Sequence, residues 1–219
     1  QVKDSTTLNL IRKYLRAGVM ENGIEKATKT GVPQGGPLSV ILSNIYLDKL
    51  DKELEERGLR FTRYADDVLI FTKSEKAANR VMNSITKWLE KKLFLKVNAI
   101  KTKVVKPIRS KYLGFTFIKH GGEWKVRPTN EKKKTLKDKL CEYLKRNKAV
   151  ARPLAVTIKR VNEILRGWIN YFRIGIMTKY MTEIGKWLRH KIRVIVIKQW
   201  KRPRTIYRNL MYLNRKYKN

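Results

Sequence analysis

The chain is 219 residues long and carries 52 Lys and Arg against 18 Asp and Glu, a formal net charge of +34 at a sequence pI near 10.4. Such a surplus destabilises a compact fold by self-repulsion unless a polyanion absorbs it, so nucleic acid is the leading partner and an anionic membrane surface a weaker rival. With 42 % hydrophobic and 10 % aromatic residues the chain is no disordered basic tail, and one cysteine and two histidines exclude a disulfide framework or a Cys/His zinc module.

No apolar run approaches the roughly 20 residues of a spanning helix, and no signal-peptide pattern opens the chain. The first residue is Gln1 rather than Met, as in a fragment or a processed product. Cysteine usage points to a reducing compartment, and Cys141 reads as an inert helical residue.

In chain order, Leu8, Ile11, Leu15 and Val19 recur at helical spacing, predicting a helix over 8–20 that runs into the turn chemistry of GVMENG at 18–23. After TGVPQGGPLS a second helix is predicted over 39–58, with Leu42, Tyr46, Leu50 and Leu54 on one face and Gly58 as its C-cap. LRFTRY and VLIFTK read as two short strands flanking Ala65, Asp66 and Asp67, which places the aspartates at a hairpin tip. A third helix over 75–93 buries Val81, Ile85, Trp88 and Leu89. TKVVKPI at 102–108 reads as a strand, and YLGFTFIKHGGEWKVRP at 112–128 as a hairpin turning at His120-Gly121-Gly122-Glu123.

Beyond Pro128 strands stop. TNEKKKTLKDKLCEYLKRNK at 129–148 is predicted as one basic helix, followed by a helix with Ile158, Val161, Leu165, Trp168 and Phe172 on its apolar face, and another with Met181, Ile184, Leu188, Ile192 and Ile195. The fold class is therefore α+β, mixed elements followed by an all-α three-helix bundle. The second half is the more basic: residues 120–219 hold 28 basic and 6 acidic side chains, residues 1–119 hold 24 and 12.

Side chains alternate faces along a strand, so consecutive aspartates converge on one cation only where the backbone bends. Clustered carboxylates repel one another unless a cation neutralises them, and Mg²⁺ takes one or two carboxylates plus substrate phosphates. Metal-assisted phosphoryl transfer needs that combination. An arbitrary Asp-Asp pair is ordinary turn chemistry, but between two hydrophobic strands of a strongly basic chain the metal reading prevails.

RYADDVLIF resembles the catalytic hairpin of reverse transcriptases. GVPQGGPLSVILSNIYLDKLDKELEERG at 31–58 resembles the block preceding it in group II intron-encoded reverse transcriptases, or maturases. KYLGFTF at 111–117 is similar to their primer-grip block, and LRGWINYFRIG with WLRHKIRVIVIKQWKRPRTIYRNL resembles their thumb, the maturase-specific domain X. The four blocks occur in family order over nearly the whole chain. The resemblance implies a partial right-hand polymerase, with a palm at 1–128 and a thumb at 129–219.

It also implies Asp66 as main ligand of a catalytic Mg²⁺ with Asp67 beside it, and Tyr64, Ala65, Gln34 and Gly35 around the incoming nucleotide. Lys101 with Tyr112, Leu113 and Gly114 would meet primer and template. The thumb cations Arg160, Arg166, Arg173, Arg189, Arg193 and Lys198 would bind RNA, with Lys186 beside them. A solvated charged face is the weaker alternative for those helices, because acidic partners at i, i+4 are scarce. Trp168, Tyr171, Trp187 and Trp200 could stack on unpaired bases, but most of them read as core, Trp168 above all because it lies on the apolar stripe.

The implied partners are group II intron RNA, an RNA/DNA primer-template and a dNTP, with no membrane, in a bacterial cytoplasm or alternatively an organelle. Val40 and Ile100 depart from the family's common Pro and acidic residue. The family's further metal aspartate belongs on an earlier strand, and this sequence starts too late to include it. Asp4 reads as a helix-start residue instead, so the chain alone is expected to be catalytically incomplete. The alternative function is a non-catalytic splicing factor that clamps intron RNA.

Overall fold

The computed structural model describes residues 3–21, 24–26, 36 and 38–217. The chain divides into two compact units, Gln1–Val104 and Val105–Asn219. The class is mixed, helices with small antiparallel two-stranded sheets.

In the first unit α1 spans Ser5–Arg16, with Asp4 as N-cap, its carboxylate accepting from the Thr7 amide at 2.6 Å. The helix ends earlier than its apolar period suggests. Gly18 takes a left-handed φ of 69°, and Val19 enters a hairpin of β1 (Val19–Glu21) and β2 (Ile24–Lys26). Helix α2 spans Ser39–Glu56 and closes as anticipated at Gly58 (φ 65°), where the Leu59 amide reaches the Leu54 carbonyl and the Gly58 amide the Glu55 carbonyl. That pair of bonds is the Schellman stop.

Strands β3 (Arg60–Tyr64) and β4 (Asp67–Phe71) form one hairpin, and α3 (Glu75–Lys92) follows, capped by the Ser74 hydroxyl on the Ala77 amide. Leu50 and Leu54 of α2, Ile85 of α3 and Leu93 are the buried core, with Phe61, Val68, Ile70, Val81, Trp88 and Leu89 packed against them. The Tyr46 hydroxyl, donating to the Leu93 carbonyl at 2.6 Å, ties α2 to the end of α3.

The second unit begins differently from expectation, since no strand forms over 102–108. Pro107 has no amide proton for a ladder, and Pro107–Arg109 is a short 3-10 turn whose Ile108 carbonyl accepts from the Thr116 hydroxyl at 3.0 Å. The hairpin of β5 (Phe115–His120) and β6 (Glu123–Pro128) is as read, turning at Gly121 and Gly122 with φ of 61° and 81°.

The expected single helix over 129–148 is two: α4 at Asn130–Tyr143 and α5 at Arg146–Val150. Leu136, Leu140 and Leu144 form one stripe at four-residue steps, but at 100° per residue Ala149 on the same helix would face the opposite side. The extended backbone of Lys145 turns Ala149 back, and it is fully buried in the same core.

Helix α6 spans Leu154–Phe172 and α7 Thr178–Gln199, with α4 against α6 and α5 against α7. On α6 the buried position is Thr157, at 0 % exposure, while Ile158 is 38 % exposed. The stripe through Val161 runs back four residues to Thr157, whose hydroxyl donates to the Pro153 carbonyl at 3.4 Å. Helix α8, Pro203–Lys216, was not anticipated and has no buried residue; with it the unit holds five helices among the described residues rather than three.

Two outcomes follow. Leu140→Ala, at a fully buried position, is expected to destabilise the second unit by about 2–5 kcal/mol in denaturant unfolding. Burial, with Asp138 and Glu183 nearby, pushes the Tyr180 hydroxyl up to about 12. The fold therefore keeps a proton that the unfolded chain releases near pH 10. That stabilisation is complete below the ordinary tyrosine range and is lost as pH rises towards about 12. Melting temperatures followed through this window are expected to fall more steeply for the native chain than for Tyr180→Phe.

Candidate nucleic-acid and metal site

The carboxylate pair sits where β3 meets β4. Tyr64 pairs with Asp67 across the ladder, so the connecting loop is only Ala65 and Asp66, and Asp67 is already the first residue of β4. The aspartates therefore straddle the end of the turn rather than both lying in it. Ala65 adopts φ 53°, the left-handed region, which costs an L-residue about 1–2 kcal/mol. Both aspartates and Tyr64, at 66 % exposure, face solvent.

The tip is held from behind. Burial alternates along β3, placing Arg63 in the inward register of Phe61. Arg63 Nε donates to Asp51 at 2.7 Å and Nη2 to the other Asp51 oxygen, while Nη1 reaches Asn44 Oδ1 at 2.8 Å and the Ala65 carbonyl at 2.9 Å. A cleft between α2 and the hairpin is lined by Val40, Asn44, Asp51, Tyr64 and Ala65. The sequence reading missed Arg63, Asn44 and Asp51. Two signals were present: a charged residue at an inward strand position, and an Asn and an Asp two helical turns apart.

Two adjacent exposed carboxylates at a loop are a fitting oxygen donor set for Mg²⁺, which completes its coordination with substrate phosphates and water. Among the described residues no group of three or more His, Cys, Asp or Glu comes together to hold a metal. Gln34 and Gly35 lie outside the described residues. Lys101 is exposed in a turn ordered by Asn98, whose carbonyl accepts from the Lys101 and Thr102 amides at 3.2 and 2.9 Å.

In the second unit Tyr112 and Phe115 exchange two backbone hydrogen bonds around a two-residue turn, with Leu113 at φ 48° and Gly114 at φ 80°. Positive φ at both positions is the signature of a type I′ hairpin turn. A Cβ at Gly114 would stand 3.2 Å from the Lys132 side chain, which would have to give by a few tenths of an ångström. The Tyr171 hydroxyl donates to the Leu113 carbonyl at 3.0 Å, and the Thr129 amide to the Gly114 carbonyl at 2.9 Å.

Arg160, Arg166, Arg173, Arg189, Arg193 and Lys198 are all exposed. On α7, Lys186, Arg189 and Arg193 fall within about 60° of one another at 100° per residue, opposite the buried Ile184, Leu188 and Ile195. On α6, Arg160 pairs with Glu163 at 2.9 Å, whereas Arg166 lies opposite the buried face. Of the aromatics, Trp168 packs between Phe172 and Tyr180, with ring centroids 4.6 and 5.7 Å away, as a core residue does. Tyr171 is exposed and stacked on Phe115, and Trp187 and Trp200 are half-buried.

No helix among the described residues is long and apolar enough to cross a membrane. Residues 1–117 match the family described as reverse transcriptase (RNA-dependent DNA polymerase), and residues 133–213 the group II intron, maturase-specific domain. Among curated relatives, the group II intron-encoded protein LtrA of Lactococcus lactis subsp. cremoris is 44 % identical over 63 residues, 29 % of this chain and 10 % of LtrA. Protein YkfC of Escherichia coli is 29 % identical over 138 residues, 48 % of this chain and 36 % of that protein. A putative COX1/OXI3 intron 2 protein of Saccharomyces cerevisiae is 36 % identical over 87 residues, 39 % of this chain and 10 % of its own length. The chain thus spans only part of the length of the relatives it matches. With a polymerase match over more than half its length followed in order by the maturase match, the chain belongs to the group II intron-encoded reverse transcriptase and maturase family.

Proposed function

We propose that this chain supplies the palm (1–128) and thumb (129–219) portions of an RNA-directed DNA polymerase of a group II intron, and that the same protein binds intron RNA to assist splicing and mobility. The observation that carries the reading is the exposed Asp66-Asp67 pair at a two-residue hairpin tip in a chain of net charge +34. Elsewhere the cations have a use in holding nucleic acid. At this point the carboxylates have a use in holding Mg²⁺.

When bound, the metal would neutralise phosphate charge and favour attack of a primer 3′-OH on the α-phosphate of a dNTP, the α–β phosphoanhydride bond breaking and pyrophosphate leaving as the phosphodiester forms. The chain's own residues have simpler tasks. Asp66 and Asp67 supply oxygen ligands, Tyr64 and Ala65 border the nucleotide together with Gln34 and Gly35, and the Tyr112-Leu113-Gly114 turn with Lys101 steadies primer and template. Arg160, Arg166, Arg173, Arg189, Arg193 and Lys198 contact RNA phosphates. The charge of α7 supports that last role, because Lys186, Arg189 and Arg193 share a face opposite its buried residues.

A non-catalytic RNA clamp is the second reading. It is favoured by the charge of the second half, 28 basic against 6 acidic side chains over residues 120–219.

Primer extension by the full-length protein distinguishes the two. Asp66→Asn is expected to lower dNTP incorporation by at least about 100-fold, since placement of the reacting groups depends on the ligand, while leaving intron RNA affinity unchanged. Undiminished synthesis would remove Asp66 from the metal site. Conversely, Arg189→Ala with Arg193→Ala is expected to weaken RNA binding and to flatten the log–log salt dependence by about 1.4 to 1.8, measured by filter binding over a salt series. An unchanged slope would remove α7 from the RNA interface.

A further inference from the structure

We propose that Arg63 is a positioning residue for the aspartate tip, fixing the Ala65–Asp66 peptide against α2 and thereby setting the direction in which Asp66 presents its carboxylate. The inference rests on the reading of Asp66 as a metal ligand.

The Arg63 side chain is only 11 % exposed, and its guanidinium meets acceptors on three residues. Nε and Nη2 engage both oxygens of Asp51, a bidentate grip that fixes the plane of the fork. With that plane fixed, Nη1 has a defined direction and spans Asn44 Oδ1 and the Ala65 carbonyl. Asn44 and Asp51 are seven residues apart on α2, two helical turns, so both face the hairpin from one side.

The carbonyl of Ala65 belongs to the peptide whose nitrogen is that of Asp66. Peptide groups are planar, so a bond to the oxygen restrains the orientation of the nitrogen and of the Cα beyond it. The loop has only two residues, and the first is held at φ 53°, where an alanine gains nothing from its own side chain. The restraint must come from outside the loop. Lysine cannot replace it, because an ammonium is a point charge without a fork. A tie that merely joined hairpin to helix would need the Asp51 grip alone; the added bond to Ala65 connects it to the tip.

The test uses Arg63→Lys, which keeps the charge, in the full-length protein. Incorporation is expected to fall about 10- to 100-fold, the cost of a misplacement near 1 Å, with the Mg²⁺ midpoint raised several-fold and primer-template affinity unchanged. In hydrogen exchange the amides of 65–67 are expected to exchange several-fold faster while those of Leu54 and Ile85 keep their rates. Asn44→Ala, at an exposed helical position, is expected to show the same pattern at smaller size, and carries the test should Arg63→Lys not fold. Wild-type incorporation and Mg²⁺ midpoint in both variants would overturn the proposal. So would tip and core amides accelerating together, the mark of a purely structural tie. Asp66→Asn separates the two levels: full synthesis in that variant overturns the metal reading and this inference together. Lost synthesis there beside normal synthesis in Arg63→Lys and Asn44→Ala overturns this inference alone.

Discussion

The organising constraint is that 52 cations must stay in contact with water or with an anion. Among the described residues no Lys or Arg is buried, and only Arg63, Arg127, Lys133 and Arg152 are even half-buried. Charge is costly to remove from water without a partner, so the cores contain aliphatic and aromatic side chains with little else. Ser110, Thr129 and Thr157 are the buried polar residues among those described. The half-buried cations show how the exceptions are accommodated: Arg152 lies 4.2 Å over the Tyr143 ring and donates to the Tyr143 carbonyl, and Lys133 lies over the Tyr180 ring. Arg63 has Asp51, Asn44 and Ala65. Helices whose polar faces are almost wholly cationic follow from the same constraint, and those faces are what a polyanion would meet.

The two tight turns proposed to face nucleic acid are built alike, although they lie in different units. Each has a non-glycine residue in the left-handed region, Ala65 in one and Leu113 in the other. Each has the carbonyl of that residue accepting a hydrogen bond from a side chain outside the turn, Arg63 Nη1 at 2.9 Å and Tyr171 Oη at 3.0 Å. Strained backbone persists only where surrounding structure over-determines it, and such residues gather at functional sites. In both places a residue on a regular element, a strand or a helix, supplies the restraint.

Much of the architecture was legible because it depends on period and on turn chemistry. The faces of α2 and α3, the stop at Gly58, the hairpin turning at Gly121-Gly122 and the cap at Asp4 all rest on interactions within a few residues of each other. The misreadings share a different cause. A run such as TKVVKPI has strand-like residues, but a strand exists only with a partner, and among the described residues none pairs with it. The break between α4 and α5 was hidden because high helix propensity on both sides says nothing of where Ala149 must point. Thr157 displaced Ile158 from the core for a similar reason: the stripe is decided by what the helix packs against, and a threonine can satisfy its hydroxyl within the helix. Helix α8 is a different case: Ile206, Leu210 and Leu213 recur at helical spacing after Pro203, so its period was legible and was passed over, although none of its residues is buried.

The same division holds for the site. By itself the sequence determined the family, the aspartate pair between hydrophobic strands and the surplus of cations, since these are properties of residue order and composition. The tertiary structure alone decided that Asp67 belongs to β4 and Asp66 to the loop, and that Arg63 couples the tip to α2. The physical reason is separation along the chain. Asn44, Asp51 and Ala65 are brought to one guanidinium only when helix and hairpin pack on the core of Leu50, Leu54 and Ile85, and no local rule of spacing records that meeting.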